Sequence, residues 1–377
     1  MRIAFYAPLK SPTHGTPSGD RRVAGLLMDA LAAAGQRVEL ASTFRTFDGA
    51  GDAARQEALR VQGAALAQSL ASQWREAPAD ARPDVWFTYH LYYKAPDWLG
   101  PAVSEALGIP YVIAEASYAP KRAGGAWAIG HEATATAIRK AALVLCPTRD
   151  DVACVAGLVG ERRILYLPPF LDTTPYAGAA QRRASLRAEL AKSAELDDAV
   201  PWIAVVAMMR EGDKLASYRA LAATLSRLQH LPWRLVVAGE GPARGEVERA
   251  FAERIPGRAA LIGALPVRRL AEILAACDLY AWPAVNEAYG MALLEAQAAA
   301  LPVVSCATRG VPDIVQHGRT GLLVPYEDEA ALAAAIADLL QDAKKRMQFG
   351  REAARFVAAE RSLQHAAREL GQALARL

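Results

Sequence analysis

The chain has 377 residues, and at roughly 100–200 residues per domain this length favours two domains. Hydrophobic residues make up 53% and charged residues 22%, an ordinary globular composition that excludes disordered, collagen-like and coiled-coil chains. The net charge is only +3 and is shared almost evenly by the two halves, so neither half has the concentrated positive charge of a nucleic-acid-binding domain.

The cysteines and the apolar runs predict the cellular compartment of the protein. Four cysteines are scattered without CxxC spacing, which predicts free thiols in a reducing compartment. The apolar run at the N-terminus is too short for a signal-peptide core, and no run reaches the ~18–20 residues of a membrane span. We therefore predict a cytoplasmic protein with no transmembrane segment, and peripheral membrane contact stays open.

The first half alternates short apolar strands with segments of helical spacing, the order that is typical of a parallel sheet. It predicts strands over 2–7, 37–41, 84–89, 110–114, 143–146 and 163–167, and helices over 23–31, 59–74, 133–141 and after Asp150. Two prolines followed by Asp and Thr then interrupt both patterns near 168–175, which predicts the domain junction there.

The second half repeats this alternation. It predicts strands over 202–207, 234–238, 259–262, 279–282, 302–305 and 321–324, and helices over 218–228, 270–276, 290–300 and 329–341. The expected fold class is α/β, with two Rossmann-like doubly wound parallel-sheet domains facing across a cleft. Ligands of such sheets bind beyond the carboxyl ends of the strands, so functional residues should follow strands directly.

The stretch NEAYGMALLEA is the most informative in the chain. Glu287 follows a strand, Gly290 opens a helix, and Glu295 lies on that helix about 7 Å further along its axis. The free amides over 289–293 and the positive end of the helix dipole favour a diphosphate at this terminus. Two carboxylates eight residues apart also occur by chance on solvated surfaces, but the apolar residues on both sides of Glu295 argue against that.

Glu287 and Glu295, within E-A-Y-G-M-A-L-L-E-A, resemble the E-x7-E motif of the family 4 retaining glycosyltransferases, which have the GT-B fold. The resemblance extends to the GEGP turn, CDLYAWPAVNEAYG, VPDIVQHGRTGLLV and the chain length. It implies that Glu287 contacts donor-sugar hydroxyls and that Glu295 contacts the ribose hydroxyls. The free amides of the helix start assign Gly290, Met291, Ala292 and Leu293 to donor binding. The implied domains are an acceptor-side domain over 1–172, a nucleotide-sugar-binding domain over 173–361, and a helix over 362–377 that returns to the first.

Two further stretches of the second half are candidates for donor binding. In MMREGDKLASY, Arg210 and Lys214 could reach a phosphate, or they could be two cations of an ordinary surface loop. The resemblance implies an Arg and a Lys here, usually five residues apart, and in this chain they are four apart. In GEGP, Glu240 and Gly241 line the nucleotide side by the same resemblance, and a simple strand-ending turn explains them equally well.

The first half offers acceptor-side candidates. Gly19 and Asp20 stand where many relatives have a Gly-Gly pair, and Asp20 is also a candidate helix N-cap. His90 and Glu115 end successive strands. His131 is either a helix-start residue or an acceptor contact.

A basic loop also belongs to the first half. Lys121 and Arg122 lie beside two glycines, and they either meet an anionic acceptor or are simply solvated.

The resemblance and these residues together define the expected chemistry. We expect an enzyme of hexosyltransferase type that moves a sugar from a nucleoside-diphosphate sugar to a saccharide or another hydroxyl-bearing acceptor. No DxD cluster follows a strand, so preorganised cations and amides are expected to stabilise the leaving group, without metal or cofactor. Retention of configuration is implied by the resemblance alone, and no general base is assigned.

Two alternatives stay open. A nucleotide-sugar epimerase of the same fold would need an acid/base set at the sugar and would interconvert the donor alone. An inactive donor-binding subunit would release no nucleotide with any acceptor.

Overall fold

The computed structural model describes residues 1–16 and 18–377, which form two compact units. The first unit comprises Met1–Pro168 and Leu363–Leu377, and the second comprises Pro169–Ser362. The chain thus passes from the first unit to the second within the Pro168–Pro169 dipeptide, and it returns before its last helix.

The first unit is built on a parallel sheet whose strand order is β2-β1-β3-β4-β5-β6. Its strands are β1 (Arg2–Tyr6), β2 (Arg37–Ser42), β3 (Val85–Leu91), β4 (Tyr111–Ala116), β5 (Leu143–Cys146) and β6 (Ile164–Tyr166). Its helices are α1 (Gly19–Ala33), α2 (Ala53–Glu76), α3 (Gly100–Leu107), α4 (Ala128–Lys140), α5 (Arg149–Val159) and, from the chain end, α15 (Leu363–Leu374), which packs on α1.

The second unit has a parallel sheet of strand order β12-β11-β10-β7-β8-β9. Its strands are β7 (Trp202–Val206), β8 (Arg234–Ala238), β9 (Ala259–Gly263), β10 (Leu279–Trp282), β11 (Val303–Cys306) and β12 (Gly321–Val324). Its helices are α6 (Thr174–Gln181), α7 (Arg183–Ser193), α8 (Asp213–Ser226), α9 (Arg244–Arg254), α10 (Val267–Ala276), α11 (Met291–Ala298), α12 (Val311–Ile314), α13 (Glu329–Gln341) and α14 (Ala343–Glu360).

The central strands are buried along most of their length, because helices cover both faces of each sheet. Every residue of β5, β10 and β11 is buried, as are the first five of β3. Such strands read as continuous apolar runs, which is why the sequence identified them. The predicted fold class of doubly wound parallel sheets is confirmed.

The strand order fixes where each sheet binds ligands. In the first sheet the order reverses between β1 and β3, and in the second it reverses between β7 and β10. The loops that follow these strand pairs diverge and leave a crevice at the carboxyl end of the sheet. We call the two places the first-unit edge and the second-unit edge.

Several helices depart from the sequence prediction. Helix α4 begins at Ala128, five residues before the predicted start, and its N-cap Trp127 makes no side-chain cap hydrogen bond. Ser18 caps α1 by accepting a hydrogen bond from the Arg21 amide, so the interpretation of Asp20 as the N-cap is wrong. Within the described residues, no helix combines the length and the apolar character needed to cross a membrane.

Candidate active site

The centre of the second-unit edge is an ion pair between Lys214 and Glu287. Lys214, in the first turn of α8, donates through Nζ to Oε2 of Glu287, in the loop after β10. The two side chains are only 21% and 17% exposed, and the ammonium also lies 5.6 Å from the centre of the Trp282 ring. The pair holds one positive and one negative group together where the strand order reverses.

Helix α11 begins beside this pair. Its N-cap Gly290 has φ 76° and ψ 74°, a left-handed conformation that suits glycine. The Leu293 amide donates to the Gly290 carbonyl, so it is not one of the free donors that the sequence suggested. The amides of Met291 and Ala292 have no hydrogen-bond acceptor among the residues that the structure describes, which leaves them available to an anion.

Glu295 lies on the second turn of α11 and is 2% exposed. Burial raises the pKa of the Tyr280 phenol well above its usual value, and Tyr218, Glu287 and Glu295 raise it further. The Tyr280 hydroxyl donates to the Val206 carbonyl and accepts from the Val206 amide. Both glutamates of the motif therefore act electrostatically on the same buried phenol.

The loop after β7 presents Arg210 at the same edge. Arg210 is exposed, and its guanidinium makes no ion pair or hydrogen bond with any residue in 1–16 or 18–377. The loop is held by its neighbour, because the Met209 amide donates to the Glu240 carbonyl and the Ala243 amide donates to the Met209 carbonyl. Arg210 thus extends from a loop whose backbone is fixed.

The GEGP turn has its glycines for a packing reason. A Cβ at Gly239 would lie 1.9 Å from the Ala207 carbonyl oxygen, and one at Gly241 would lie 2.2 Å from the Met209 carbonyl oxygen. Only glycine permits this close approach of the two loops. Glu240 itself is exposed and pairs with Arg244 on the next helix, and its predicted donor contact stays a prediction.

The sequence interpretation missed the side chains that hold the Glu287 loop. Asn286 donates to Asp213 at 3.0 Å and accepts from Arg309 at 3.0 Å, while Ser217 Oγ accepts from the Val285 amide. Asn286 and Arg309 have φ of 49° and 43°. The positive φ of Asn286 could have been suspected from the sequence, since asparagine tolerates this conformation. Nothing in the sequence indicates it for Arg309.

The first-unit edge brings together three of the predicted acceptor-side residues. His90 Nδ1 lies 3.0 Å from Asp20 Oδ1 and 3.7 Å from Glu115 Oε1. Burial opposes the charged imidazole, but Glu115 and then Asp20 raise the pKa of His90 above its usual value, and the hydrogen bond to His90 lowers the pKa of Asp20 against the effect of its burial. His90 and Glu115 both have positive φ, at 59° and 61°.

Gly19 and His131 stand apart from this group. Gly19 is the first residue of α1, and a Cβ there would meet nothing within 4 Å, so space does not require glycine. His131 lies in the first turn of α4, is 5% exposed, and its ring lies 5.1 Å from that of Tyr118. Its assignment as an acceptor contact stays a prediction.

Across residues 1–16 and 18–377, His, Cys, Asp and Glu side chains form no group of three or more that could hold a metal ion. At the second-unit edge, Lys214, Arg210 and the backbone amides of α11 suit an anion, and the acidic Glu287 suits the hydroxyls of an attached polyol.

The fold and the two edges define a two-domain Rossmann-like α/β protein. Residues 201–342, within the second unit, match the family model described as Glycosyl transferases group 1. In fold, the chain is similar to the crystal structure of Anabaena HepE in complex with UDP, with a TM-score of 0.73 over all of both chains at 17% identity.

Two named relatives are similar in sequence over part of the chain. It is 31% identical to the alpha-D-kanosaminyltransferase of Streptomyces kanamyceticus over 250 residues, 65% of this chain and 61% of that protein. It is 28% identical to the alpha-maltose-1-phosphate synthase of Mycolicibacterium smegmatis over 284 residues, 69% of this chain and 71% of that protein. The chain thus spans less than two thirds of the kanosaminyltransferase.

Proposed function

We propose that this protein is a retaining glycosyltransferase that moves a sugar from a nucleoside-diphosphate sugar to a hydroxyl group of a saccharide or similar acceptor, without a metal ion. The observation that carries the proposal is the Lys214–Glu287 pair beside the free amides of α11. The group 1 family match over 201–342 and the transferase names of the relatives support it.

The donor diphosphate is assigned to the positive part of the second-unit edge. The amides of Met291 and Ala292 already stand in place, so they cost little reorganisation as charge develops on the leaving group. Lys214, once released from Glu287, and the exposed Arg210 add positive charge beside them. Glu287 accepts hydroxyl hydrogens of the sugar, and binding exchanges its bond with Lys214 for those contacts. The ribose is assigned to Glu295, and the turn at Glu240 and Gly241 to the nucleotide side.

The transfer itself breaks the bond between the anomeric carbon and the diphosphate oxygen and forms one to the acceptor oxygen on the same face. The proton of the acceptor hydroxyl passes to the leaving diphosphate. These two cations, Lys214 and Arg210, and the helix amides take the role that a divalent metal has in other transferases. The first-unit edge, with Asp20, His90 and Glu115, is assigned to the acceptor.

The test is nucleotide release from a panel of UDP-, GDP- and ADP-sugars, in EDTA and with added Mg²⁺, with the product anomer read by NMR. A true donor raises the melting temperature by mass action, EDTA leaves the rate unchanged, and the anomer is retained. Glu287→Gln is expected to lower kcat by about 10²–10³-fold, the usual loss for one preorganised group. Glu253→Gln, an exposed change on α9, is the matched control.

Three results would contradict the proposal. The first is that no nucleotide sugar stabilises the protein or is turned over. The second is that the rate depends on added metal, and the third is that Glu287→Gln and Glu253→Gln have the same activity. A chain that binds a nucleotide sugar but releases nothing with any acceptor would be the inactive donor-binding subunit.

A nucleotide-sugar epimerase is a second candidate because of one observation. His90, Asp20 and Glu115 form an acid/base group of the kind that such a reaction needs. Incubating the donor alone separates the two functions, since an epimerase interconverts the sugar without an acceptor and a transferase does not.

A further inference from the structure

A row of aromatic rings runs from His90 across the loops of the first unit. The His90 ring lies 5.2 Å from Tyr92, Tyr92 lies 5.5 Å from Tyr93, and Tyr93 lies 5.7 Å from Trp127, centre to centre. The three larger rings are half-buried, so each still reaches solvent. Pyranose rings pack their apolar faces on such aromatic surfaces and leave their hydroxyls to hydrogen bonds.

Two cations stand at the far end of this row. The Lys94 ammonium lies 4.7 Å from the centre of the Trp127 ring, and the Arg122 guanidinium carbon lies 5.5 Å from that ring and 5.3 Å from the Tyr93 ring. Neither cation pairs with a carboxylate among the residues that the structure describes, and Arg122 Nε is buried without a hydrogen-bond partner there. The aromatic row therefore ends in two positive groups with no anion of their own.

This end of the row is rigidly built. The Trp127 indole donates to the Asp48 carbonyl at 3.0 Å, and buried Gln56 donates to the Ala126 carbonyl at 2.9 Å. The Asp48 carboxylate accepts from the amides of Ala50 and Asp52 and from Gln56. The nearby acid is thus held by these donors and does not serve Lys94 or Arg122.

We infer that the aromatic row and the two cations are an acceptor subsite for an anionic saccharide, whose phosphate or carboxylate lies between Lys94 and Arg122 beside Trp127 and whose sugar ring packs against Tyr92 and Tyr93. The inference rests on the proposed function, because it places the reactive hydroxyl at the His90 end of the row. It also separates the two residues of the basic loop. Arg122 lies on the rings, while Lys121 is exposed and has no part in the subsite.

The inference is tested by calorimetric titration of the whole chain, with and without UDP. Soluble probes are glucose 6-phosphate, glucuronate, methyl glucoside and inorganic phosphate; a lipid-borne headgroup is probed with phosphatidylcholine vesicles with and without phosphatidylinositol. We expect a charged sugar to bind about tenfold more tightly than methyl glucoside and than inorganic phosphate. Whether the soluble sugars or the vesicles bind identifies the source of the anion.

The charge preference should disappear in the Lys94→Met, Arg122→Met double variant. The matched control is Arg139→Met with Lys140→Met, which removes the same two charges from exposed positions at the end of α4. Equal affinity for charged and neutral sugars, no binding of any anionic probe, or an equal loss in the control would overturn the inference. Nucleotide release is measured separately, so a failure of donor turnover with intact anion binding refutes the proposed function instead.

Discussion

The two edges occupy equivalent places in the two sheets but have opposite chemistry. At the second-unit edge, Lys214 and Arg210 stand beside helix amides, with one glutamate paired to the lysine. At the first-unit edge, one imidazole is shared by two carboxylates, and its pKa is raised. The strand order decides where a ligand binds, and the loop residues decide whether that place suits a diphosphate or a titrating group.

The largest expected effect comes from removing the cation of the second-unit edge. Lys214→Met should lower kcat/KM for the nucleotide sugar by about 10²–10³-fold, because it removes a positive charge beside the leaving group. Steady-state nucleotide release measures the effect, and Lys192→Met, an exposed change on α7, should leave the rate unaltered. Combining Lys214→Met with Glu287→Gln should cost less than the product of the two single losses, because the residues are paired. An unaltered kcat/KM would mean that this edge does not bind the donor diphosphate.

A smaller effect is expected from the backbone at the same edge. Gly290→Ala forces a left-handed residue to carry a Cβ, which would lie 3.0 Å from the Leu293 side chain. This should reduce the free energy of unfolding by about 1–2 kcal/mol, seen as a lower urea midpoint.

The matched control for that change is Gly245→Ala. Gly245 lies within α9, and a Cβ there meets nothing within 4 Å, so alanine should stabilise or leave the protein unaffected. If both variants shift the urea midpoint equally, the loss of stability in Gly290→Ala does not come from the left-handed conformation of Gly290.

The smallest effect is expected at the first-unit edge and concerns pH. His90 faces Glu115, Asp20, Asp151 and the ring of Tyr92. Because the pKa of His90 is higher in the folded than in the unfolded protein, protonation of His90 stabilises the fold. This stabilisation is complete below the pKa of the unfolded state, about 6.5, and it is lost as pH rises through the pKa of the folded state. Asp20→Asn should lower the pKa of His90 and move that loss to lower pH.

NMR titration of the six histidines and unfolding at several pH values measure this change. Asp29→Asn, on the exposed side of the same helix, should leave the titration of His90 as it is. A His90 titration that is identical in the wild type and in Asp20→Asn would show that the contact between the two residues does not hold in solution.

The parts of the molecule that the sequence could predict are those with a local pattern. The buried strands read as apolar runs, and the predicted doubly wound fold is confirmed. The stretch around Glu287 was recognisable because its motif is contiguous. The contact of Lys214 with Glu287 was not predictable, since 73 residues separate them, and the same holds for Asp20 and His90, which are 70 residues apart.

Backbone conformation was the other source of missed detail. Ala284 and Arg309 adopt positive φ at 58° and 43°, although neither residue type favours it. Their conformations are set by packing and by hydrogen bonds from distant segments, such as that from Arg309 to Asn286. The loop that carries Glu287 is thus shaped by tertiary contacts as well as by the tolerance of Asn286 for positive φ.

The close approach of Gly239 and Gly241 to the preceding loop has a consequence for how this protein can vary. Two backbone hydrogen bonds of Met209, one donated to Glu240 and one accepted from Ala243, join the two segments, so neither can acquire an insertion without displacing the other. The exposed Met208 side chain projects from these joined segments and can change without moving the backbone, whereas position 210 carries the arginine assigned to the donor diphosphate. Changes of donor preference should therefore arise by substitution here, and changes of loop length should accumulate elsewhere.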